Sequence, residues 1–95
     1  MILYNISLIV EDSSHDELFT WIKKHLQNIS HDVKFLKMLD SPHEGTTYCI
    51  QFAAENQEAL GAFQDDVLTD LQYYIAKNHT EKAFIFDSKM EYLSL

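Results

Sequence analysis

Four stretches of this chain alternate apolar and polar residues. Between them lie two stretches with apolar residues at three- and four-residue steps. The resulting order is strand, helix, strand, strand, helix, strand, and it constrains the fold more than any other feature. The clearest stretch is Gly45-Thr46-Thr47-Tyr48-Cys49-Ile50-Gln51-Phe52, a turn glycine leading into strict alternation.

Ile2, Tyr4, Ile6, Leu8 and Val10 give the first strand one wholly apolar face, with Leu3, Asn5, Ser7 and Ile9 opposite. Glu11-Asp12-Ser13-Ser14 ends that strand. Ser14 with Glu17 three residues on reads as a capping box. Leu18, Trp21, Ile22, His25, Leu26 and Ile29 continue as a helical stripe, which predicts a first helix over about 14–29. Val33 to Leu39 alternates more weakly and carries lysines, as suits an edge strand. The stretch 40–45 holds the only proline and predicts a hairpin loop. Thr46 to Ala54 puts Tyr48, Ile50 and Phe52 on one face and Thr47, Cys49 and Gln51 on the other. A second helix opens at Glu55-Asn56 and runs to about Asn78, with Leu60, Phe63, Val67, Leu71, Tyr74 and Ile75 as its stripe. Gly61 inside it costs about 1 kcal/mol relative to alanine, so a close packing contact is expected there. Ala83 to Leu93 is the last strand, with Phe84, Phe86, Met90 and Tyr92 on one side.

This order predicts an α+β, ferredoxin-like split-βαβ fold (βαββαβ), with a four-stranded antiparallel sheet. Right-handed crossovers place both helices on the same, strongly apolar sheet face. Residues 1–95 are read as one domain. The first and third strands are central, so the open face carries Asn5, Ser7, Cys49 and Gln51 at its middle. Leu3, Ile9, Cys49 and Ile85 are expected to leave apolar area on that face, which predicts a homodimer through the open face or an edge strand, in one version a dimeric α+β barrel.

Fifteen acidic residues against seven basic ones give a net charge of -8. Such a surface repels phosphate backbones and anionic membranes, which argues against nucleic-acid or membrane partners. A single cysteine rules out an internal disulfide and suits a reducing compartment. The N-terminal residues lack the basic and apolar regions of a signal peptide, and no apolar run reaches membrane-spanning length. A cytoplasmic protein is expected.

Three stretches resemble a bacterial family known only as a domain of unknown function. They are the Met1-Ile2-x-Tyr4-Asn5 opening, His15-Asp16-Glu17 followed by Trp21 and His25, and the Gly45-Thr46-Thr47-Tyr48-x-Ile50-Gln51 strand. Family members often carry a proline soon after the second of these histidines, where this chain has Leu26-Gln27. The resemblance implies a small α+β domain, with no established activity or cofactor.

Five histidines raise the question of a metal. His15 and His25 stand ten residues apart, about 15 Å along a helix, and Cys49 is alone, so neither a zinc site nor any other metal site is expected. Two glycines cannot build a phosphate-cradling loop, and the chain has no Gly-x-Ser-x-Gly elbow. Cys49, mid-strand, reads as structural, and Asp65, Asp66 and Asp70 read as a solvated helix face. No catalytic residue is assigned. Trp21 and His25 form an i,i+4 pair suited to ring stacking, at the edge of the core or as a recognition patch.

Small haem-degrading and cofactor-free monooxygenases of dimeric α+β architecture carry an asparagine on the first strand and a histidine late in the second helix. Asn5 and His79 occupy those elements here. The haem-degrading ones also need a tryptophan in the second helix, whereas Trp21 lies in the first. The sequence therefore reads as a non-enzymatic, homo-oligomeric binding or interaction module with no cofactor and an unknown ligand, a small molecule being one option. A monooxygenase-like enzyme using the cavity between sheet and helices is the alternative. The candidate ligand or interface residues are Asn5, Gln51, Trp21, His25 and His79.

Overall fold

The computed structural model describes residues 1–95. Strand β1 (Ile2–Val10) is followed by a 3-10 turn (Asp12–Ser14), helix α1 (His15–Gln27), and strands β2 (Val33–Lys37) and β3 (Thr46–Ala54). Helix α2 (Gln57–Phe63) passes through a π turn (Gln64–Leu68) into helix α3 (Thr69–Asn78), and β4 (Ala83–Glu91) completes the sheet. The strand order is β2-β3-β1-β4, all antiparallel, with the helices on one face. This is the ferredoxin-like fold that the order of periodicities implies.

Central β1 pairs Asn5 with Gln51 and Ser7 with Cys49 on one side, and Ser7 with Phe86 on the other. Its alternate residues Tyr4, Ile6, Leu8 and Val10 are buried against Leu18 and Ile22 of α1 and Leu60, Phe63, Val67 and Leu71 of the second helical arm. Burying each such side chain contributes roughly 1.5–3 kcal/mol, so this face sets the strand register.

Four sequence expectations change. Ile85 does not join the open face. It pairs with Leu8 and faces the helices, while Phe84 and Phe86, paired with Ile9 and Ser7, face outward. Directly opposed residues share a sheet face, so the register of β4 decides this. Ser14 makes no side-chain cap, because it closes the 3-10 turn through its backbone N–H to the Glu11 carbonyl. Glu17 turns instead toward α3. The second helix is not uniform. Its buried residues Phe63, Val67, Leu71 and Ile75 follow in four-residue steps. At about 100° per residue, three such steps drift about 120° around a regular helix. A π turn takes up one extra residue and keeps all four on the sheet. Gly61, finally, faces open space rather than a close contact.

Gly45 is required where it stands. Its φ of +80° is in the left-handed region, and a Cβ would overlap the Val10 carbonyl oxygen. No helix is long and apolar enough to cross a membrane.

Candidate functional site

Three of the five candidate residues meet in the seam between α1 and α3. The Trp21 ring stacks on His25 at 4.9 Å and on Tyr74 at 4.1 Å between centroids, both nearly parallel. Tyr74 in turn lies 5.4 Å from His79, so four rings form a continuous ladder across the two helices. The i,i+4 spacing of Trp21 and His25 places them on one helix face. Only tertiary packing adds Tyr74 and His79.

Each end of the ladder meets acidic groups. The His25 Nε2–H donates to the Asp66 carbonyl in the π turn at 3.1 Å and lies 3.5 Å from Asp70. At the other end the Tyr74 hydroxyl donates to Glu17 at 3.2 Å. Burial first, and Glu17 second, push the Tyr74 hydroxyl pKa up. His79 caps α3 through its backbone N–H to the Ile75 carbonyl. Its side chain is 5% exposed, and its Nε2 has no hydrogen-bond partner. That nitrogen is covered and is not presented to a planar cofactor such as haem in this arrangement.

The other two candidates lie on the opposite side of the sheet. Gln51 Nε2 donates to Asn5 Oδ1 at 3.2 Å, and Asn5 Nδ2 donates to Ser7 Oγ at 2.9 Å. Ser7 Oγ is 3.9 Å from the free thiol of Cys49. Asn5 and His79 therefore do not converge. The strand lies between them, because Asn5 belongs to the outward set of β1 and α3 covers the inward set.

Further polar contacts escape sequence reading. The His15 Nδ1–H donates to Asp16 at 2.9 Å, and its Nε2 accepts from the buried Tyr48 hydroxyl at 2.7 Å. Desolvation, and then the Asp16 charge, push the Tyr48 pKa up. The His31 Nε2–H donates to Asp66 Oδ2 at 2.8 Å, so Asp66 is held by histidines from two directions. Tyr4 donates to Asp87 at 2.6 Å from within the core. A polar tip on a buried-face tyrosine was the one signal available for Tyr4 and Tyr48. No three histidine, cysteine or acidic side chains gather as a metal-binding group.

A model of the family described as a domain of unknown function (DUF4286) matches residues 1–93. The chain belongs to that family. No curated protein matches it. Among solved structures it is similar to a candidate antibiotic biosynthesis monooxygenase from Deinococcus radiodurans, at 13% identity and TM-score 0.67, covering 100% of this chain and 95% of that one. It is also similar to an ethyl tert-butyl ether (EthD) family protein from Bacillus halodurans, at 13% identity and TM-score 0.61, covering 96% and 100%. A DABB-family protein with a ferredoxin-like fold from Mesorhizobium loti matches at 12% identity and TM-score 0.53, covering 99% and 100%. At such identities the likeness of this DUF4286 member is one of fold.

Proposed function

We propose that the protein is a non-enzymatic, homodimeric binding module in which a second copy covers the open sheet face. One observation carries this reading. The outward residues of all four strands include Leu3, Ile9, Leu36, Phe84, Phe86 and Met90, and no carboxylate. Phe84 is 49% exposed, Phe86 60% and Met90 46%, a larger apolar display than a monomer usually keeps in water. Two copies each carrying -8 repel over most of their surface, and the carboxylate-free apolar face is free of that repulsion. A twofold axis makes one such face self-complementary. The amide pair of Asn5 and Gln51 then sits at the centre of the interface.

At one end of this face a groove of about 680 Å³ opens between Ile9, Phe84 and Phe86 and the loop residues Glu11, His43 and Glu44. A second copy over the sheet roofs this groove, which suits a small ligand with an apolar body. The monooxygenase alternative needs room between sheet and helices. The seam lined by Trp21, Ile22, His25, Ile50, Val67 and Leu71 has no volume open to water, so no geometric observation favours it.

Light scattering at micromolar concentration tests the reading, with an expected mass of twice 11.1 kDa. Phe86→Lys should return the mass to that of one chain. A wild-type monomer at high concentration rejects the dimer. Native mass spectrometry of freshly purified protein then reads any retained small molecule.

A further inference from the structure

Strand β2 lies at the sheet margin and pairs with β3 alone. Met38 donates its N–H to the Thr47 carbonyl at 2.8 Å, which places the hydrogen-bonded pairs at Leu36 with Cys49 and Lys34 with Gln51. The backbone groups of Val33, Phe35 and Lys37 therefore point away from the sheet with no strand to receive them. On the helix side, a depression of about 280 Å³ separates this edge from α1 and is lined by Lys23, Leu26, Gln27, Val33 and Phe35.

The charge of this margin is the reverse of the rest of the molecule. Four of the seven basic residues, Lys23, Lys24, Lys34 and Lys37, lie on α1 and β2. All four are exposed, and none enters a salt bridge; the one lysine that does is Lys82, with Glu11. Asp32 and Asp40 stand beyond the two ends of the strand. The other free margin, β4, carries Asp87 and Glu91 on its helix side with a single lysine, Lys89, between them. An acidic chain with one basic, apolar, hydrogen-bonding edge is built to accept acid there.

We propose that the β2 edge binds an extended acidic peptide segment of a partner protein by strand addition. The peptide backbone pairs with the free groups of Val33, Phe35 and Lys37. Apolar side chains pointing to the helix side enter the depression over Leu26 and Phe35, which Lys23 and Lys37 flank, and acidic ones pointing to the other side meet Lys34. This site lies at the margin of the sheet, shares only Lys34 with the open face, and does not require the dimer.

A fluorescein-labelled heptapeptide of alternating glutamate and valine, beginning and ending in glutamate, is the probe. Anisotropy at low salt should show saturable one-to-one binding, weakened at least tenfold by 0.5 M salt because exposed charges are screened. Amide shifts should change over residues 33–37 and along α1 from Lys23 to Gln27. Lys34→Glu combined with Lys37→Glu should weaken binding at least tenfold with an unchanged melting temperature, and a peptide with lysine in place of glutamate should not bind. Val33→Pro, at the first residue of the strand, should weaken binding several-fold; if it unfolds, the lysine variant alone decides. Absence of saturable binding, full affinity in the lysine variant, or shifts centred on β4 or the open face would each overturn the proposal.

Discussion

The Nε2 of buried His79 lies 3.5 Å from Oε1 of Glu17 on the opposite helix without forming a hydrogen bond. The imidazole is enclosed, while the Glu17 side chain is largely in water and already accepts from Tyr74. An unpaired buried nitrogen costs about 1–3 kcal/mol. His79→Phe keeps the packing on Tyr74 and the backbone cap while removing that nitrogen. Its melting temperature should equal or exceed the wild type's by a few degrees. A fall of more than about 8 °C, beyond what 1 kcal/mol gives a domain of this size, would show that the nitrogen is bonded in solution.

Gln51 and Asn5 bond to one another at the centre of the open face. Gln51→Leu removes the Asn5 acceptor's partner on a face open to water in the monomer, so the fold should be nearly unaffected. In the dimer the same lone pair is desolvated, and dissociation should increase several-fold. Thermal melts of diluted protein and light scattering across a concentration series separate the two effects. A large loss of monomer stability would contradict the register that sets Gln51 outward.

The two glycines should respond in opposite ways to alanine. Gly61→Ala fills open space in a helix and should stabilise by up to about 1 kcal/mol. Gly45→Ala sets a Cβ against the Val10 carbonyl at positive φ and should destabilise by several kcal/mol. Urea denaturation of the two variants checks both signs, and matching effects would show the β2–β3 loop to be placed wrongly.

Three tyrosines favour their neutral form in the folded state. Burial is the first cause for Tyr4, Tyr48 and Tyr74, followed by hydrogen bonding to Asp87, the Asp16 charge and hydrogen bonding to Glu17 respectively. Their hydroxyls titrate above the ordinary value near 10, so the folded chain holds protons that the unfolded chain releases. Stability from this source is complete below about pH 10 and is lost as pH rises beyond it. Absorbance at 295 nm and circular dichroism followed together should show their ionisation coinciding with unfolding. Tyr4→Phe should cost about 1.5 kcal/mol at neutral pH by losing the Asp87 bond, and should flatten the alkaline decline.

Much of the site was legible before folding was considered. The spacing of Trp21 and His25 announced a stacked pair, and the alternation of β1 and β3 placed Asn5 and Gln51 outward together. The π turn was legible too, in the four-residue steps from Phe63 to Ile75, yet a regular helix is the default unless the drift is counted. The pairing of Tyr74 with Glu17 carried no signal. Their roles come from the approach of α1 to α3, and partners 57 residues apart in the chain leave no local pattern.

What the sequence determined by itself is the type and order of the elements and the inward face of β1, β3 and the helices. Those follow from periods of two and 3.6, which are properties of a single segment. The tertiary structure decided which face of β4 turns inward, where both Phe84-Phe86 and Ile85 were apolar enough to serve. Pairing of Leu8 with Ile85 beneath the helices settled it. It likewise decided that His79 is enclosed while Asn5 is not, because a side chain's burial depends on what the rest of the chain lays over it.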